Sequence, residues 1–308
     1  MQDVMSVLDP PPEIETLERV AAADIIRAWR QDFGIDVAHL FEGVDEVTLR
    51  LDPRTGQMRF EPCSLGDAAF YQALREFKWY HPARKLEHVH AAELARAGGL
   101  VLDIGAGNGD FAGYLAGADY VGLESDPDAV ATGRASGIDL RPLDMTTWHA
   151  SDEFRPAHLV TAFQVLEHVE DPGTFLSEMK NCLADDGTIM IGVPDAESYV
   201  SQLPDFMLNA PPHHVSWWTE TALRQALETG GLAVHAVKRF PVEPWEYQLW
   251  WMAKFARWMA GADRTRFGRG LRARKVLSFC LSWPLQWLAP PKSARGSTLL
   301  IEARKAGG

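Results

Sequence analysis

From residue 100 onward the chain alternates short apolar runs with amphipathic stretches, and this alternation limits the fold more than any other feature. "LVLDIG" (100–105), "DYVGLES" (119–125), "PAHLVTAFQVL" (156–166) and "GTIMIGVP" (187–194) read as strands, with "IDLRPLDM" (138–145) a weaker third in chain order. Helical stretches separate them: "GTFLSEMKNCLADD" precedes the fifth strand, and "TETALRQALETGG" precedes a sixth, "LAVHAVKRF". Strands that are apolar throughout suit burial on both faces, so the pattern predicts a mostly parallel sheet with helices on both sides. A last strand, "STLLIEARK" (297–305), comes only after a long intervening segment.

Ahead of this region, "EIETLERVAAADIIRAWRQDF" (13–33) carries Leu17, Val20, Ile25 and Trp29 at helical spacing, which predicts a helix from its start. "EVTLRLDPRTGQMRFEP" predicts a β-hairpin turning at Asp52–Gly56. Residues 67–98 read as helix broken near Pro82.

Composition is that of an ordinary globular protein, 46% hydrophobic and 23% charged, and no apolar run reaches the length of a membrane span. The acidic, proline-bearing start does not read as a secretory signal. Cys63, Cys182 and Cys280 are far apart, which supports neither a zinc ribbon nor a disulfide framework, and a cytoplasmic location is expected. The net charge of −12 is uneven. Residues 1–240 hold 18 Lys+Arg against 38 Asp+Glu, whereas residues 241–296 hold 10 against 3. An acidic main body argues against nucleic acid as substrate.

The first strand runs into "GAGNGDF". Glycine-rich turns after a strand commonly receive a nucleotide, but the dinucleotide pattern wants a third glycine three residues after the second, and Asp110 stands there. The spacing is Gly105, Gly107, Gly109, and Asp103 sits two residues before it. A carboxylate at the strand's end favours a cationic ligand over a polyphosphate. These residues, with Glu124 closing the second strand, Asp144–Met145 after the third and "FQVLEHVEDPGTFLSEMKNCLADDGTIMIGVP" across the fourth and fifth, resemble the class I S-adenosylmethionine (SAM)-dependent methyltransferases. The resemblance covers about residues 100–240 plus the last strand. It implies a Rossmann-like seven-stranded sheet of order 3-2-1-4-5-7-6 and SAM as cofactor. It further implies that Asp103, Gly105, Ala106, Gly107, Glu124, Ser125, Asp144, Met145 and Gln164 surround the cofactor, Glu124 taking the ribose hydroxyls and Asp144–Met145 the adenine. Trp79 and Tyr80 are candidates for an aromatic lid, since aromatic faces attract a sulfonium.

Two places carry candidate bases. His213 and His214 follow the fifth strand in "NAPPHHVSWWT", where the resemblance puts a loop near the sulfonium, with Thr219 a candidate N-cap for the next helix. His214 is the favoured base and His213 the second choice. Glu167–His168 in "VLEHVED" is similar to a metal-holding loop of the ubiquinone-pathway O-methyltransferases, but Gln164 replaces an acid three residues earlier. A neutral amide is a weaker ligand for a hard cation, so no metal is expected, and the pair is read as tying the loop to the sheet.

The organisation expected is an N-terminal helical and hairpin cap (1–98), a SAM-binding core (99–240), a basic tryptophan-rich helical insert (241–296) and the last core strand (297–308). The insert admits several readings: a helical hairpin packed on its own core, a lid over an apolar acceptor, a subunit interface, or a peripheral contact with the inner membrane through tryptophans and arginines. The activity implied is methyl transfer to a small-molecule, sugar or glycolipid-type acceptor at oxygen. An NAD-dependent oxidoreductase and a non-catalytic SAM-binding protein are the alternatives.

Overall fold

The structure, a computed structural model, describes residues 13–77 and 85–307. The chain opens with a strand, β1 (Glu15–Ala21), and then a helix, α1 (Ala22–Phe33). The helix predicted from residue 13 therefore starts nine residues late. The first seven residues pair antiparallel with β2 (Glu46–Asp52), Val20 opposite Val47. Within β1 burial follows a period of two: Glu18 and Val20 point inward while Leu17 and Arg19 point out. Sheet pairing overrode a spacing that fits either element. β2 turns into β3 (Gln57–Glu61) as predicted. Two short helices follow, α2 (Ala68–Arg75) and α3 (Leu86–Ala92), and the break near Pro82 lies outside the described residues.

The core begins at β4 (Leu100–Ile104), which is buried throughout, and continues through β5 (Asp119–Leu123), α4 (Pro127–Ala135), β6 (Leu140–Arg141) and α5 (Met145–His149). β6 is only two residues long, and Pro142, which has no N–H to give the ladder, follows it directly. Next come β7 (Ala157–Phe163), α6 (Pro172–Cys182), β8 (Leu183–Pro194), β9 (Ser216–Trp217), α7 (Glu220–Thr229) and β10 (Leu232–Pro241). The insert supplies α8 (Tyr247–Ala260) and α9 (Arg272–Ser282), and β11 (Arg295–Lys305) ends the sheet. Helix starts are capped by acids and hydroxyls: Asp126 and Asp171 precede a proline at the first helical position, and Thr219 Oγ1, as expected, accepts the Ala222 N–H at 3.1 Å.

The seven-stranded sheet has the order β6-β5-β4-β7-β8-β11-β10, which in core numbering is 3-2-1-4-5-7-6. β11 runs antiparallel to both β8 and β10, and the other pairs are parallel. One face is packed by Trp148, Leu176, Met179, Leu223 and Leu227, the other by Ala91, Phe111 and Phe163. This is the Rossmann-like α/β fold.

The second sheet, β1-β2-β3-β9, is antiparallel and is not built from the N-terminal segment alone. β9 comes from the loop after β8, and the core beneath this sheet takes Met207, Ala210, Trp217 and Phe267 from the rest of the chain. That borrowing fixes the His213–His214 loop against the N-terminal layer: the Trp29 indole N–H donates to the Pro211 carbonyl at 3.1 Å.

Candidate active site

The carboxyl ends of β4, β5 and β7 open on a cavity of about 1400 Å³. Ligands in open α/β sheets bind at this edge. Its first wall is the turn after β4. Gly105, Gly107 and Gly109 all have positive φ (65°, 55° and 82°), which side chains rarely adopt. A Cβ at Gly105 would lie 2.6 Å from Val165 Cγ2, and one at Gly109 would lie 2.7 Å from Ile138 Cγ2. At Gly107 a Cβ would meet nothing within 4 Å. Two glycines thus serve close packing, and the middle one leaves a hollow in the cavity wall beside Ala106.

Glu124 holds this turn. Its Oε2 accepts the Gly107 N–H at 2.8 Å, and its Oε1 accepts the Asp126 N–H at 2.8 Å and the Ser125 hydroxyl at 3.4 Å. Asp103 sits buried at the base, accepting from Thr161 Oγ1 at 2.7 Å and from the Tyr120 hydroxyl at 2.9 Å. Burial raises its carboxyl to about 6, against the pull of those two hydrogen bonds. Gln164 lines the cavity in a left-handed conformation (φ 58°), and its buried amide nitrogen has no partner among the described residues. A strained residue with an unspent donor, facing a hollow beside an acidic floor, fits a cofactor that brings polar acceptors and a positive centre.

Asp144 and Met145 fall elsewhere. Asp144 caps α5 by accepting the Thr147 N–H at 2.6 Å, and Met145 is buried in the core beneath the sheet. Neither is among the residues that line the cavity. Trp79 and Tyr80 lie outside the described residues.

The opposite wall holds the three candidate histidines together. His213 and His214 stack with ring centroids 4.4 Å apart, and His168 meets both edge-on at 4.7 and 5.0 Å. His168 Nδ1 lies 2.6 Å from the His213 carbonyl oxygen, and His213 Nδ1 lies 2.8 Å from the Leu208 carbonyl oxygen. A carbonyl can only accept, so both Nδ1 atoms carry the proton, which leaves each Nε2 a lone pair. Burial pushes His168 down to about 4 and holds His213 and His214 well below the usual imidazole range, so all three are neutral at pH 7.

Glu167 lies among them, 1% exposed, with neither carboxylate oxygen hydrogen-bonded among the described residues. One oxygen is 3.9 Å from Nε2 of His168 and 3.9 Å from Nε2 of His214. Burial raises its carboxyl to about 8. The Glu167–His168 pair was expected to tie its loop to the sheet. His168 does tie it, to the His213 loop, but the Glu167 side chain ties nothing. The ligand atoms of the three histidines lie within 4.8 Å of one another, so the three imidazoles make a donor set able to hold a divalent cation. These imidazoles come from two loops, whereas the expectation of no metal rests on Gln164 before the first of them.

Sequence reasoning missed Tyr71, whose hydroxyl reaches His168 Nδ1 at 3.2 Å from α2, and Glu87 on α3, buried on the cavity wall. Neither lies in a motif. Their only signal is a helix before the core whose polar residues turn inward.

Comparison with known proteins agrees with this geometry. Residues 77–237, just over half of the chain, match the family model of a methyltransferase domain. The chain is 30% identical over 183 residues to the ubiquinone biosynthesis O-methyltransferase of Salmonella paratyphi A, which spans 50% of this chain and 75% of that protein. It is 36% identical over 108 residues to the protein of the same name from Cronobacter sakazakii, 32% of this chain and 44% of that one. A SAM-dependent methyltransferase from Archaeoglobus fulgidus shares the fold, with TM-score 0.50 and 19% identity over 76% of this chain and all of that one. An NAD-dependent oxidoreductase and a non-catalytic binder are set aside on these grounds. The chain belongs to the class I SAM-dependent methyltransferases.

Proposed function

We propose that this enzyme methylates a hydroxyl oxygen of a small-molecule, sugar or glycolipid-type acceptor with an apolar portion, and that His214 receives the acceptor's proton. The observation that carries the reading is the placement of neutral imidazoles and a buried acid on one wall of a cavity whose other wall is the glycine turn. The names of the ubiquinone-pathway relatives support oxygen as the site. The apolar portion rests on Leu65, Phe206, Leu208 and Leu249 in the same wall.

The bound cofactor supplies a methyl group on a sulfonium, already electrophilic. Gly105, Ala106 and Gly107 give its amino-acid part close access to the backbone, Asp103 puts negative charge nearby, Glu124 with Ser125 meets the ribose, and Gln164 spends its free N–H on the cofactor. An acceptor hydroxyl that attacked this methyl group would shed its proton to the His214 imidazole, and the demethylated cofactor would leave as a neutral thioether. Glu167, with a carboxyl oxygen 3.9 Å from His214 Nε2, places an acidic group beside the imidazole that takes the proton. His168 and His213 hold the imidazole in place by ring contact. Most of the acceleration comes from aligning oxygen with methyl in a water-poor site.

The test is a panel of phenolic, sugar and glycolipid acceptors assayed by mass spectrometry, with His214→Gln beside the wild type. The variant is expected to lose ~10²–10⁴-fold in kcat with unchanged SAM affinity. Methylation confined to nitrogen or carbon acceptors, or full kcat in the variant, would refute the reading. A second reading, in which the three histidines hold a divalent cation that would bind the acceptor oxygen, is favoured by their convergence within 4.8 Å. It predicts loss of activity on dialysis against a chelator and recovery with added cation.

A further inference from the structure

Helix α9 is inside out. Its inward stripe is Leu271, just ahead of the helix, Lys275, Ser278 and Ser282, at i, i+4, i+7 and i+11. Both serines are fully buried and donate to the carbonyls three residues before them. Val276, Leu277 and Phe279 face solvent instead, and Trp283 beyond the helix is 55% exposed. A surface helix of a globular protein normally does the reverse. The same segment exposes Trp258 (76%) and Trp287 (85%). Of the twelve large apolar side chains exposed among the described residues, nine lie between Trp245 and Leu288. Solvated apolar surface on that scale marks a surface that meets something.

Charge indicates what it meets. No acid occurs between Arg264 and Ile301. Part of the basic excess is used inside the molecule: Arg269 pairs with Asp24, Arg272 and Lys275 with Asp32, and Glu18 accepts the Arg266 and Phe267 N–H groups at 2.7 and 2.8 Å. Those contacts anchor the insert to the N-terminal layer. Exposed Lys254, Arg264, Lys292 and Arg295 make no ion pair among the described residues. Tryptophans among unpaired cations match an interface of acyl chains under anionic headgroups. Phe279, Trp245 and Leu249 also line the active-site cavity, so the apolar surface reaches the mouth of that cavity. No described helix is long and apolar enough to cross a bilayer, so the contact is with the surface.

We propose that the outer face of α9 and the turn through Trp287 dock on an anionic bilayer. The proposal goes beyond the assigned chemistry and needs no turnover to test. The full chain is sedimented with vesicles of phosphatidylcholine alone and of phosphatidylcholine with phosphatidylglycerol, beside Trp283→Ser/Trp287→Ser and Arg264→Ala/Lys292→Ala. The wild type is expected to pellet with the anionic vesicles and to be released as salt rises. The basic double variant is expected to partition roughly 10–30-fold more weakly at low salt. The tryptophan variant is expected to lose binding at all salt concentrations while keeping its Tm and its SAM affinity, which shows that the fold is intact. Absence of wild-type binding to both vesicles overturns the proposal. So does binding that neither variant weakens. A concentration-dependent dimer by light scattering that the tryptophan variant dissolves, with no vesicle binding, would assign the surface to a second copy of the chain.

Discussion

The Glu124 carboxylate accepts the Gly107 N–H at 2.8 Å, across the gap between the ends of β5 and β4. One oxygen thus braces the glycine turn while the other holds the Asp126 N–H at the start of α4. The side chain that the ribose hydroxyls would meet is already positioned by the backbone on both sides, so little side-chain freedom remains to be lost on binding.

Glu124→Ala is therefore expected to weaken SAM and its demethylated product alike by ~1–3 kcal/mol, the range for loss of charged hydrogen bonds. Isothermal titration calorimetry with both ligands reads this directly. Equal affinity in variant and wild type would remove Glu124 from the site.

The glycine turn makes a sharper comparison. Gly105→Ala puts a methyl group 2.6 Å from Val165 Cγ2 at a positive φ, so it should lower the unfolding free energy by more than the ~1–2 kcal/mol of left-handed backbone strain. Gly107→Ala meets no neighbour and should cost about that strain alone, but its methyl group enters the cavity wall and should reduce SAM affinity. Denaturant melts and titrations on both variants separate packing from binding. Equal destabilisation of the two would contradict the distinction.

The buried ionisable cluster sets a pH dependence. Glu167 titrates near 8 in the folded protein and at its ordinary 4.5 when unfolded. The folded state therefore binds more protons between these values, and stability falls as pH rises through that window. His168 shifts the other way, from 6.5 to about 4, as do His213 and His214, so the unfolded state binds more protons there and stability rises with pH up to about 6.5. The cofactor-free protein should be most stable near pH 6.5 and should lose stability toward pH 8. Glu167→Gln should flatten the limb between pH 6.5 and 8. Melts across pH 5–8.5 test this, and an unchanged slope in the variant would show that Glu167 does not titrate there.

By itself the sequence determined what is local or periodic. Continuous apolar strands at β4, β7 and β8, the cap at Thr219, and the three glycines before Asp110 announce themselves in short windows, because each reflects a rule of a few residues' reach. The strand order was legible too, through the resemblance those windows carry. Tertiary structure alone decided the rest. Glu15–Ala21 is a strand because β2 lies beside it, and its own spacing fits a helix equally well. Met145, just after the Asp144 cap of α5, is buried in the core beneath the sheet. His168 joins His213 across 45 residues of chain because β9 pins the second loop to the N-terminal sheet. The outward turn of α9's apolar residues goes with an inward stripe in which Lys275 pairs with Asp32 and Ser278 and Ser282 bond back to the helix's own carbonyls. Contacts between segments far apart in the chain leave no local period to read, and these contacts assemble the candidate site.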